Sequence, residues 1–209
     1  MVAKTHGKAG RVLVAITVLC WCVGPMMPAA AQRTGKAVAQ GMREVLLFEF
    51  NEEDAAGQWV TVDDTVMGGV SSSTAVVKDG LLQFTGDLSL ENNGGFCSVR
   101  SNTNGWALPD FEGLKVRIKT RDRPFRLTIR TDRRFDGVMY RHDLPVTGDE
   151  WKTIRVRFAD FKPTYHGRVL SDQTPIDPSK IRSVGFIIAD GRAGSFMLEV
   201  DSIHAWATE

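Results

Sequence analysis

From residue 45 onward the chain alternates apolar and polar positions with a period of two. Leu114, Val116 and Ile118 are separated by Lys115, Arg117 and Lys119. Phe125, Leu127 and Ile129 stand against Arg126, Thr128 and Arg130, and Ile154, Val156 and Phe158 against Arg155 and Arg157. Phe196, Leu198 and Val200 alternate with Met197, Glu199 and Asp201. Successive side chains of a strand point to opposite faces, so this spacing predicts half-buried strands, apolar in and polar out. Runs at 45–50, 73–77, 81–85, 97–100, 138–144 and 181–188 bring the total to about ten candidate strands. Asp79-Gly80, between two runs, predicts a tight hairpin whose two central residues need positive φ. Asn104-Gly105, Asp136-Gly137 and Asp190-Gly191 mark further turns. No stretch keeps a helical period for three turns, and no repeat or linker interrupts 45–206. Many short strands without helices predict an all-β fold, two antiparallel sheets packed as a sandwich.

The first thirty residues follow a different pattern. Lys4, Lys8 and Arg11 make a basic start, an apolar run spans 12–24 (VLVAITVLCWCVG), and Ala29-Ala30-Ala31 offers small residues at a cleavage spacing. That order predicts a signal peptide over 1–31, cleavage before Gln32, and an exported protein, periplasmic or secreted. The run is too short to span a bilayer, which takes about 20 apolar residues, so no membrane anchor is expected after cleavage. A mitochondrial presequence fits less well, because those are amphipathic and rich in Arg and Ser. Residues 32–44, polar and without period, read as a flexible lead into one domain over 45–209.

Composition narrows the possibilities. The formal net charge of the 209-residue chain is +1, which argues against a nucleic-acid partner. Cys20 and Cys22 lie in the N-terminal segment, leaving Cys97 alone in the domain. No internal disulfide can form there, so the core must hold the fold unaided. Enzyme signatures are missing: no G-x-S-x-G, no H-E-x-x-H, no phosphate-cradling glycine loop. His142, His166 and His204 lie far apart, and Cys97 at a strand start reads as a small buried hydrophobe rather than a nucleophile. The expectation is a non-enzyme without a cofactor.

Two loops carry an acidic or amide pair followed by Gly-Gly. One holds Asp63, Asp64, Met67, Gly68, Gly69 and Ser71; the other holds Asn92, Asn93, Gly94 and Gly95. Glycine pairs allow close backbone approach, but a sharp bend between strands explains them at least as well. The carboxylates and amides suit hydroxyls, backbone amides or a hard cation such as calcium. Arg100, Tyr165 and Arg168 complete the candidate binding set, the arginines either as bidentate donors or as salt-bridge ties to Asp63 or Asp64. Arginines and lysines between Lys115 and Arg134, placed on two paired strands, would form a basic stripe on one solvent face open to an anionic partner.

The segments 59–73 (WVTVDDTVMGGVSSS), 82–100 (LQFTGDLSLENNGGFCSVR), 151–158 (WKTIRVRF), 160–170 (DFKPTYHGRVL) and 181–203 together resemble the complex I intermediate-associated protein 30 family. The resemblance covers roughly 46–206. It implies a galactose-binding-like jelly-roll β-sandwich without established catalytic residues. It also implies a chaperone-like assembly role on a protein partner. The same fold is similar to carbohydrate-binding modules, so a glycan is the alternative ligand. Trp59, Trp106, Trp151, Tyr140 and Tyr165 would then be the sugar-stacking candidates.

Overall fold

Leu114, Val116 and Ile118 are fully buried, as are Leu127, Ile129, Leu198 and Val200, so the period-two register places these apolar sets in the core. The computed structural model describes residues 41–51, 57–102, 105–134, 136–172 and 174–209. These belong to the second of two units in the chain, Ala39–Glu209. The signal-peptide reading over 1–31 and the lead up to residue 40 lie outside the described residues.

Strands follow in the order β1 (Met42–Glu49), β2 (Trp59–Asp63), β3 (Ser72–Lys78), β4 (Leu81–Leu88), β5 (Cys97–Ser101) and β6 (Gly113–Lys119). Then come β7 (Arg126–Arg130), β8 (Met139–Asp143), β9 (Lys152–Arg157), β10 (Lys162–Tyr165), β11 (Arg168–Val169), β12 (Ser183–Ile188) and β13 (Gly194–Thr208). All pairings are antiparallel. One sheet runs β3-β4-β13-β6-β9, with β1 also on β13; the other runs β11-β10-β8-β7-β12-β5-β2. The long β13 serves two partners in turn: its first half pairs with β4 and its second with β1, and its ladder to β6 shifts register between Val200 and Ser202. The result is the galactose-binding-like sandwich of two antiparallel sheets.

All ten expected strands are present. Three more were not expected: β2, which the sequence reads as part of a loop, and the short β10–β11 hairpin. β1 also begins at Met42, inside the tract read as a lead. The Asp79-Gly80 hairpin forms as expected, with φ of 53° and 75° and Lys78 paired to Leu81.

The basic stripe is a correction. β6 and β7 are consecutive in sequence but lie in different sheets, so their outward residues cannot share a face. On β6, Lys115 pairs with Glu44, Arg117 with Asp201 at 2.8 Å and Lys119 with Glu199 at 2.5 Å. Arg123, between the strands, is buried. Its Nε and Nη2 donate to the two Asp190 oxygens at 2.8 and 2.7 Å, and Nη1 donates to Gly194 O and Ser195 O, each at 3.0 Å. A guanidinium with its whole fork engaged is a staple. It ties the β6–β7 connection to the β12–β13 turn.

Candidate functional site

β2 ends at Asp63, and the chain turns through one 3-10 turn, Asp64–Met67, closed by Gly68 at φ 91°. Asp64 is 1% exposed. Its Oδ2 accepts from Ser71 Oγ at 2.5 Å, Gly95 N–H at 2.6 Å and Phe96 N–H at 3.4 Å, while Oδ1 accepts from Ser71 N–H at 2.9 Å. A buried carboxylate is tolerated when donors replace its lost water. Burial pushes this carboxyl up, but the donors from Ser71, Gly95 and Phe96 outweigh it and hold it below its ordinary value. A Cβ at Gly69 or Gly94 would overlap the Asp64 side chain, so both glycines are there for its close approach. Ser71 Oγ in turn accepts the Ser89 N–H at 2.9 Å. Asp63 accepts from Ser73 Oγ at 2.5 Å.

The two Gly-Gly loops are therefore one clasp centred on Asp64. Among the described residues neither aspartate pairs with an arginine, so the expected arginine tie is replaced by hydroxyl and backbone donors. Arg168 is exposed on β11, opposite Tyr165 in the hairpin. Asn92 and Asn93 are exposed and take left-handed φ of 53° and 58°, a conformation asparagine accepts more readily than most residues. With the Asp64 carboxylate filled by donors, it has no room for a calcium ion. No group of three His, Cys, Asp or Glu side chains able to hold a metal occurs among the described residues.

A cleft of about 510 Å³ lies on the outer face of the seven-stranded sheet, next to this clasp. Arg100 of β5, Arg126 and Arg130 of β7 and Arg141 of β8 line it, with Val62, Val66, Met67, Phe96, Met139 and Ile187 as its apolar part. Arg126 and Arg130 flank Thr128 on the outward side of β7, and Arg141 is registered directly opposite Thr128. On the other side Thr128 faces Gly185, which faces Arg100. Four guanidinium groups thus surround a floor of two small residues. Burial, with Arg130 nearby, brings Arg100 down to about 10, still charged at neutral pH. Arg141 is lowered by burial and then by Arg126. Arg126 is paired with Asp143 at 2.7 Å, and Arg130 donates to Gly137 O at 3.0 Å. Arg141 makes no hydrogen bond or ion pair among the described residues. Acids are scarce here: Asp136 lines the cleft and Asp143 stands at its edge.

Of the expected binding residues, the cleft takes in Met67 and Arg100, and it reaches His166 and Gly167 beside Tyr165. Asp63, Asp64, Gly68, Gly69, Ser71, Gly94 and Gly95 build the clasp that shapes one wall. Arg126, Arg130 and Arg141 were missed as a group. The period-two rule puts Arg126 and Arg130 on one face, but the sequence does not show that β8 lies beside β7 and β12 beyond it. The sugar-stacking candidates are mostly spent on packing. Trp59 and Tyr140 are buried, Trp106 packs edge-on to Phe48, and Trp151 lies under Arg117 and Lys119. Tyr165 is exposed and stacks on His166 at 4.1 Å. Cys97 is buried, and burial with Asp63 nearby pushes its thiol up to about 12, which removes it as a nucleophile.

A family model described as complex I intermediate-associated protein 30 matches residues 48–200. A Neurospora crassa protein named complex I intermediate-associated protein 30, mitochondrial, is 32% identical over 104 residues, 49% of this chain and 37% of its own length. The mouse protein of that name is 27% identical over 183 residues, 76% of this chain and 55% of its own. An uncharacterized Schizosaccharomyces pombe protein is 30% identical over 166 residues, 69% and 75% of the two chains. This chain thus spans roughly a third to a half of the first two relatives. Among solved structures, a family 11 carbohydrate-binding module of Clostridium thermocellum, in complex with a mixed-linked tetrasaccharide, superposes with a TM-score of 0.56 at 19% identity. That match covers 78% of this chain and 94% of the module. An agarase matches with a TM-score of 0.53 at 13% identity, over 78% of this chain and 24% of its own. These likenesses establish the fold. The relatives also correct the location: the Neurospora and mouse proteins are named as mitochondrial, which overturns the periplasmic or secreted assignment. A basic start before an apolar run was too general a pattern to carry a destination by itself.

Proposed function

Because the chain belongs to the complex I intermediate-associated protein 30 family, we propose that it is a non-enzymatic binding domain of the assembly-factor kind. It holds a protein partner in the cleft on the outer face of the seven-stranded sheet. The observation that carries this reading is the make-up of that cleft: arginine, methionine and aliphatic side chains over a rigid sheet floor. Arginine, methionine and aromatic residues are the types enriched where proteins contact each other. The relatives named for complex I intermediates make such an intermediate the partner to test first. A glycan reading draws on the carbohydrate-binding-module fold but has less behind it, since Tyr165 is the one exposed aromatic of the five stacking candidates. Fold by itself does not carry ligand class.

A photo-crosslinking residue at Met67, on the rim of the cleft, tests the reading. Irradiation in cells should give a discrete adduct whose second component is a complex I subunit or assembly intermediate by mass spectrometry. The same probe at Val76, exposed on the six-stranded sheet, should not give it. No protein adduct at Met67, or the same adducts at both positions, overturns the proposal.

A further inference from the structure

The arginines of the cleft are arranged around a point. Arg126 and Arg130 stand on either side of Thr128 along β7, about 13 Å apart at ~3.3 Å rise per residue. Arg141 faces Thr128 from the next strand, and Arg100 faces it from two strands away across Gly185. Adjacent strands are ~4.8 Å apart, so all four side chains can reach the same few ångströms above Thr128. Arg126 already has Asp143, and Arg130 has a carbonyl. Arg141, half-buried and beside Arg126, makes no hydrogen bond or ion pair among the described residues, and the nearby Asp143 that partly offsets its charge is already paired with Arg126. Four cations gathered around two acids, Asp136 and Asp143, leave an excess of positive charge that is unfavourable in the free protein and becomes favourable when an anion arrives.

We infer that the cleft takes a carboxylate of the partner protein, carried on an extended acidic segment with apolar neighbours, with Arg141 as its principal seat. This deepens the reading of the cleft as the partner site and rests on it. An extended chain presents side chains alternately. An acidic side chain can descend to the arginine ring while its apolar neighbours meet Val66, Met67 and Met139 at the walls. The bidentate fork of arginine fits a carboxylate in two parallel hydrogen bonds. The concave shape favours such a side chain over a flat lipid surface, which cannot follow the floor.

The test titrates the full chain with two synthetic peptides, acetyl-Leu-Glu-Val-Glu-Leu-amide and its Gln-for-Glu counterpart. Inorganic phosphate and vesicles of phosphatidylcholine with phosphatidylserine serve as the competing anions. The Glu peptide should bind, weaken with salt, and outbind the Gln peptide by about tenfold or more. Arg141→Gln should lose at least about tenfold, equal to ~1.4 kcal/mol, with a nearly unchanged melting temperature because the residue has no hydrogen bond or ion pair among the described residues to lose. Arg155→Gln, on the other sheet, should bind as the unsubstituted chain does. Equal binding of both peptides, an unaffected Arg141→Gln, or phosphate or vesicles binding as well as the Glu peptide would each overturn the inference. If the Met67 crosslink to the partner persists unchanged in Arg141→Gln, the assembly-factor reading stands and the carboxylate seat falls.

Discussion

The carboxylate of Asp64 accepts a hydrogen bond from the backbone N–H of Gly95 at 2.6 Å, across thirty-one residues of sequence. The contact joins the turn after β2 to the turn before β5, the strand that β2 pairs with. It explains why both turns carry glycine pairs: Gly69 and Gly94 leave the space the carboxylate occupies. Because Met67 leaves this turn toward the cleft, the clasp also holds one wall of the candidate site in place.

Asp64→Ala should be strongly destabilising. It strands the backbone N–H groups of Ser71 and Gly95, at about 1–3 kcal/mol for each unsatisfied group. Gly94→Ala should destabilise as well, by pushing the carboxylate out of its donors. Urea unfolding of the two variants measures this, and an Asp64→Ala protein as stable as the parent would show the clasp to be dispensable.

Stability should fall in acid for a specific reason. Asp64 and Asp190 both sit below the ordinary carboxylate value when folded: burial raises each, and hydrogen bonds, from Ser71 for Asp64 and Arg123 for Asp190, outweigh it. A group whose folded value is depressed adds stability that is fully present above its unfolded value, about 3.9, and is lost as pH falls through the folded one. Unfolding free energy should therefore hold from neutral pH to about 5 and drop below about 4. Asp64→Asn should be less stable throughout and show a shallower drop, and an identical slope would place the dependence elsewhere.

Removing the Arg123 staple should cost about 3–5 kcal/mol, because it leaves Asp190 as an uncompensated buried charge. Both side chains are nearly inaccessible, at 3% and 6%. Arg123→Lys should recover little, since one ammonium cannot reproduce a fork bonded to a carboxylate and three carbonyls, those of Arg192, Gly194 and Ser195. The double variant Arg123→Met, Asp190→Leu should recover much of the loss, and thermal melts of the three variants separate these outcomes.

Cys97 should resist alkylation in the folded protein. With the thiol at about 12 and the side chain fully buried, the thiolate fraction at pH 8 is on the order of 10⁻⁴. Iodoacetamide labelling, read at the Cys97 peptide by mass spectrometry, should proceed only as fast as the domain opens, and faster in Asp64→Ala. Rapid labelling of the native protein would contradict the burial.

The alternation of Leu114, Val116, Ile118 and its counterparts was enough to place ten strands and the all-β class, because a period of two is a local property of the backbone. Asp79-Gly80 was legible for the same reason: its positive φ values belong to those two residues alone. The recurrence of the glycine-pair segments in their order was enough for the family. Tertiary structure decided the rest. Whether β6 and β7 share a sheet depends on where β13 and β12 insert, contacts separated by tens of residues, and that choice dissolved the basic stripe and put Arg123 in the interior. Asp64 reads as an available acceptor in sequence, and only the approach of Gly95 and Ser71 shows its oxygens already taken. Arg126, Arg130 and Arg141 become one site through β7–β8 pairing and the bare floor at Gly185. A cluster assembled across strands leaves no periodic trace along any one of them.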